Sequence, residues 1–165
     1  MTARPLVGLT EIHEVLWRAG FPRLPFDIDV ITYRTGNDLK LDEVLDLYRA
    51  SSLGERRPID DAEILSDMIR HANLVVTAWD GALLVGISRS LTDFSYVAYL
   101  ADLAVRDTHQ KLGIGRDLIA RTRAEMGPRS MIVLLAAPAA VDYYPKLGFT
   151  QHGSAWVLRA GEALR

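Results

Sequence analysis

The chain has 165 residues, 49% apolar and 24% charged, with a formal charge of −2 and no cysteine. This balance suits one folded domain and excludes wholesale disorder, disulfides, thiolate metal sites and thiol nucleophiles. Near-neutrality argues against a nucleic-acid or membrane surface, and no apolar run reaches the roughly 18 residues a spanning helix needs.

Residues 1–27 read as an N-terminal cap to a core of residues 28–159, within a single domain of residues 1–165. The cap carries a short helix from Thr10 to Gly20, then a proline-rich extended crossing. Glu11 and Glu14 stand where a secretory signal would place apolar residues, so a cytoplasmic protein is expected. DIDVITYR (27–34) alternates and is β-branched, which predicts a first strand. Leu39, Leu41, Val44, Leu45 and Leu47 fall near helical spacing. IDDAEILSDMIRHA (59–72) starts on acids and ends on Arg70 and His71, as a helix dipole favours.

LVVTAWDGALLVGISRSL (74–91) predicts a hairpin turning at Asp80-Gly81. SYVAYLADLAV (95–105) is apolar on both faces, as a central strand should be. Strict alternation puts Val97, Tyr99, Ala101, Leu103 and Val105 on one face and Tyr96, Ala98, Leu100 and Ala104 on the other. A helix from about Gly115 to Met126 presents Ile114, Leu118, Ile119, Thr122 and Met126 inward. SMIVLLAA (130–137) predicts a buried strand, PAAVDYYPKLG (138–148) a short helix closed by Gly148, and FTQHGSAWVLRA (149–160) a last strand. The expected fold is α/β (α+β), a mixed, mostly antiparallel sheet of about six strands with helices on both faces, in the order β-α-α-β-β-β-α-β-α-β.

Between the central strand and the long helix lies QKLGIG, Gln110 to Gly115. Two glycines there allow positive φ angles and a close approach to the main chain. Consecutive N–H groups with a helix N-terminus behind them form an anion site. The P-loop pattern fails, because Arg116-Asp117 follows Gly115 in place of Lys-Ser/Thr. The dinucleotide fingerprint fails at Leu118, where it needs a third glycine. No histidine pair has metal-ligand spacing, and no metal is expected.

The sequence resembles the GNAT superfamily of N-acetyltransferases. Gln110-Lys111-Leu112-Gly113-Ile114-Gly115 matches that family's [QR]-x-x-G-x-[GA] signature, and YYPKLGF (143–149) is similar to its late aromatic-Tyr motif. The order of elements agrees from about residue 28 to 159, while residues 1–27 fall outside. Asp107 stands where proline is common and Lys111 where glycine is common.

The resemblance implies that amides from Lys111 to Arg116 cradle the pyrophosphate of acetyl-CoA. The pantetheine arm would then pair with main chain near Leu103 and Val105. Lys111 and Arg116 either add phosphate contacts or are solvated cations. Tyr144 matches the usual general acid. With ordinary pKa values of about 8.5 for a thiol and 10 for tyrosine, full proton transfer to the departing sulfur is uphill by roughly 2 kcal/mol, so Tyr144 mostly donates a hydrogen bond.

Asp102 is the lone carboxylate of the central strand. A buried acid needs a partner or a task. It is a base for the acceptor amine, an anchor for a cationic substrate, or a locally satisfied structural group. The implied function is acetyl transfer from acetyl-CoA to a small-molecule or peptide amine, by direct attack in a ternary complex, with the protein a monomer or homodimer. The alternative is a non-catalytic acyl-CoA sensor on the same fold.

Overall fold

A computed structural model describes residues 31–165. The expected cap helix, the crossing and the start of the first strand lie outside the described residues. Strand β1 (Thr32–Thr35) runs antiparallel to the strand at Leu74–Asp80, with Thr32 opposite Trp79. Helices α1 (Leu41–Arg49) and α2 (Ala62–Arg70) follow. Asp61 caps α2, its Oδ1 accepting the Ile64 N–H at 3.0 Å. Between β1 and α1, the Asn37 amide donates to the carbonyls of Ile69 (2.9 Å) and Ala72 (2.6 Å), tying that connection to the end of α2.

Strands β2 (Leu74–Asp80), β3 (Leu83–Thr92) and β4 (Val97–Val105) form an antiparallel meander. Asp80 pairs with Leu83, so the hairpin loop is Gly81-Ala82, one residue beyond the expected turn, with Gly81 at φ 56°. Helix α3 (Ile114–Ala124) crosses to β5 (Met131–Val133), which lies parallel to β4. The sheet order is β1-β2-β3-β4-β5.

Two cores cover the two faces. Val44, Leu47 and Tyr48 of α1 pack with Leu65 and Ile69 of α2 against Val75, Trp79, Ile87 and Ala104. On the other face Ile114 and Leu118 of α3 meet Val76, Ala78, Val85 and Ala98. Gly86 lets α3 approach, since a Cβ there would lie 3.0 Å from the Leu118 side chain.

The expected faces of β4 are corrected by a bulge. Asp102 faces Arg89 but Leu100 faces Ser90, which leaves Ala101 as the extra residue. Ala98 packs on the α3 side and Ala104 on the α1–α2 side, although strict alternation assigns them one face.

The six-strand expectation is also corrected, to five strands among the described residues. Residues 149–160 form no strand. Ser154 turns back onto His152 (Oγ to Nδ1, 2.9 Å), and Trp156 is 93% exposed. Strand β5 is shorter than expected and half-exposed at Met131 and Val133. The late helix is a pair of 3₁₀ turns, Pro138–Ala140 and Tyr144–Leu147, because Pro145 removes an N–H from the ladder. Gly148, at φ 88°, closes the second turn as expected.

Candidate active site

β5 pairs with β4 only from Val97 to Tyr99. Beyond that point the strands part, and among the described residues no strand borders β4 from Leu100 to Val105 on that side. A cavity of about 150 Å³ opens there. Its walls come from β4 (Leu103, Val105), the α1–α2 connection (Arg56, Arg57), Gln110 and Tyr144.

The loop at the end of β4 is firmly braced. The Arg106 and Asp107 N–H groups donate to the carbonyls of Val85 (2.8 Å) and Ala50 (2.9 Å). His109 Nε2 lies 3.0 Å from Asp80 Oδ2, and Gln110 Nε2 donates to Asp107 Oδ1 at 2.7 Å and to the Val105 carbonyl at 3.3 Å. Lys111 (φ 65°) and Gly113 (φ 84°) then take left-handed conformations, which curl the chain into the first turn of α3. The first bond of that helix runs from the Asp117 N–H to the Gly113 carbonyl at 3.1 Å. The amides of Lys111, Leu112, Gly113, Ile114, Gly115 and Arg116 thus precede the helical ladder, and they have no acceptor among the described residues. Successive unpaired N–H groups at a helix N-terminus suit a phosphate group. Gly115 has a second task, because a Cβ there would lie 2.7 Å from the Tyr143 hydroxyl.

Tyr144 is half-buried at the cavity edge, its ring held edge-on between Tyr143 and Phe149, each at 5.5 Å between centroids. Burial raises its phenol pKa above the usual value near 10.0; Tyr143 adds to the rise and Arg56 opposes it. The phenol is therefore protonated at neutral pH and able to donate.

Asp102 lies behind the cavity wall, which Ala101 and Leu103 form. It is 1% exposed, and its carboxylate accepts from Arg57 Nε (2.5 Å), Arg89 Nε (2.5 Å) and the Tyr48 hydroxyl (2.8 Å). Burial first, then Asp102, pushes the Tyr48 pKa upward. Burial opposes the charge on Arg89, but Asp102 outweighs it and the guanidinium pKa is raised. Arg57 also donates through Nη2 to the Ala101 carbonyl at 2.7 Å, which ties the α1–α2 connection to the bulge.

The structure brings Leu103, Val105, Gln110 and Tyr144 to one cavity, with Lys111 to Arg116 along the adjoining loop. Sequence reasoning missed Tyr48, Arg56, Arg57 and Arg89. One signal was available: Arg89 is the lone cation of an apolar hairpin, as Asp102 is the lone acid of the next strand.

Residues 56–161 match the family model described as an acetyltransferase (GNAT) domain. Comparison with curated protein sequences gives no match. Among solved structures, the GNAT-family acetyltransferase SP0256 from Streptococcus pneumoniae TIGR4 is 25% identical, with a TM-score of 0.62 over 79% of this chain and 99% of that one. The aminoglycoside N-acetyltransferase AAC(6')-Iy, solved with CoA, has a TM-score of 0.64 at 16% identity, over 84% of this chain and 99% of that one. The aminoglycoside acetyltransferase meta-AAC0020 from an uncultured soil metagenomic sample, solved with sisomicin, has a TM-score of 0.56 at 21% identity, over 82% and 97%. The last two likenesses are of fold.

Proposed function

The chain belongs to the GNAT acetyltransferases, and from that premise we propose that it moves an acetyl group from acetyl-CoA to a primary amine, which attacks directly in a ternary complex. The observation that carries this reading is the run of amides from Lys111 to Arg116 without an acceptor among the described residues, curled by two left-handed residues beside the opening of β4. These amides would hold the pyrophosphate, and Gln110 would keep the loop in shape. The free edge of β4 near Leu103 and Val105 would pair with the pantetheine arm as an added strand does, and a nearby N–H would face the thioester oxygen as charge develops. Tyr144 donates its proton, or a hydrogen bond, to the departing sulfur. The AAC(6')-Iy structure with CoA and the meta-AAC0020 structure with sisomicin support coenzyme and amine as substrate classes.

Asp102 takes the structural role. Its carboxylate is held by three donors, and the residue does not line the cavity. The attacking amine must nevertheless be neutral, and an alkyl ammonium has a pKa of about 10.4. The cationic wall of Arg56 and Arg57 disfavours the ammonium form, so the proton leaves to solvent as the amine enters.

The test is release of thiol from acetyl-CoA with a panel of amines, followed by mass measurement of the product. An acetylated amine formed with stoichiometric CoA supports the reading. Tight coenzyme binding with no transfer to any amine would reject it.

A further inference from the structure

The side of the cavity formed by the α1–α2 connection carries charge of one sign in its lining. The α1–α2 connection places Arg56 and Arg57 in its wall, and among the described residues no aspartate or glutamate lines it. Arg57 is committed to Asp102, to the Ala101 carbonyl and, through Nη1, to the Arg56 carbonyl at 2.8 Å. Behind the wall Asp102 meets both Arg57 and Arg89, so one carboxylate faces two guanidinium groups before Arg56 is counted.

Arg56 is different. Its side chain is exposed and makes no hydrogen bond or ion pair among the described residues. Its backbone, however, is fixed. Arg56 ends the 3₁₀ turn Gly54–Arg56, where its N–H donates to the Leu53 carbonyl at 3.0 Å. The turn is wedged against α1, since a Cβ on Gly54 would lie 2.6 Å from the Tyr48 carbonyl oxygen. A guanidinium is therefore carried on a rigid base at the rim of the cavity that holds Tyr144. Such a group recognises planar or tetrahedral oxyanions through paired N–H donors. A polycation entering here would meet like charge, with no carboxylate among the described residues of the wall.

Resting on the amine-acetylation reading above, we infer that the acceptor is a small primary amine bearing its own anionic group, a carboxylate or a phosphate, which Arg56 pairs with. The anion would fix the far end of the acceptor while its amine reaches the thioester beside Tyr144.

The experiment compares β-alanine and 2-aminoethyl phosphate with β-alaninamide and spermidine, at saturating acetyl-CoA. The expected kcat/KM for an anionic amine exceeds that for β-alaninamide by at least about ten-fold, as a charge-assisted contact implies. The better of the two anionic substrates identifies the group. In Arg56→Gln the acid-to-amide ratio falls toward one through a raised KM for the acid, and Arg56→Lys restores part of it. The KM for acetyl-CoA in the same variants stays fixed. Faster turnover of spermidine or β-alaninamide than of either anionic amine overturns the inference alone, as does an unchanged ratio in Arg56→Gln. Failure of every amine, with coenzyme bound, overturns the inference and the amine reading together.

Discussion

Asp102→Asn separates a structural carboxylate from a catalytic one. The substitution keeps the shape and removes the charge. One oxygen can still accept, but the new amide presents N–H groups where a guanidinium or the Tyr48 hydroxyl now donates. Breaking a buried ion pair by neutralising one partner costs about 3–5 kcal/mol. Arg89 is nearly buried, with 7% of its side chain exposed, and bears the full loss; Arg57, at 23%, recovers some hydration. The lower end, about 3 kcal/mol, is therefore expected. For a chain of this size each kcal/mol moves the melting temperature by about 2–4 °C, which gives a fall of about 6–12 °C. Thermal and urea melts would measure it, alongside kcat well below the transition, where a folded variant should retain turnover. An unchanged melt together with a fall in kcat of a hundred-fold or more would refute the structural assignment and restore Asp102 as a base.

Tyr144→Phe should lower kcat by roughly a hundred-fold with little change in coenzyme affinity. Because burial raises this phenol, the proton donor persists above pH 10, so the basic limb of the wild-type kcat profile should lie above that value and vanish in the variant. Gly113→Val forces a branched side chain into φ 84°, at a cost of about 1–2 kcal/mol, and should abolish coenzyme binding by calorimetry while the melt stays cooperative. Lys111→Gly is expected to be neutral to stabilising, within about 1 kcal/mol, because it relieves the same strain at φ 65°. Gly115→Ala should destabilise through the Tyr143 hydroxyl, and adding Tyr143→Phe should recover most of that loss, since the next ring atom is 3.6 Å away; additive melts would rule out the contact.

What the sequence made legible was local. Helices α1, α2 and α3 follow from apolar spacing and from end signals such as Asp61 and Arg70, which act within a turn or two. The glycine loop was legible because its conformation is written in the residues themselves: Gly113 takes the angle that glycine permits. The partners of Asp102 were not, since Tyr48, Arg57 and Arg89 lie 54, 45 and 13 residues away and meet it only through the sheet. The absent sixth strand failed for a related reason. Residues 149–160 have strand-like composition in places, but a strand exists only where a neighbour accepts it, and the Ser154–His152 turn competes locally.

The bulge at Ala101 was illegible for a different reason, and it has the largest consequences. Alanine carries no bulge signal, and alternation alone would leave Asp102 on the same side as Ala98, under α3. One extra residue rotates it to the side of α1 and α2, where Tyr48 and both arginines converge. At the same irregularity the Ala101 carbonyl accepts from Arg57. The acid and the connection that forms one wall of the cavity are thereby locked together. Once Arg57 is spent on this lock, Arg56 is the arginine of that connection whose side chain has no partner among the described residues. On the proposed reading, the connection locked to Asp102 then sets the sign of charge that an acceptor meets on entry.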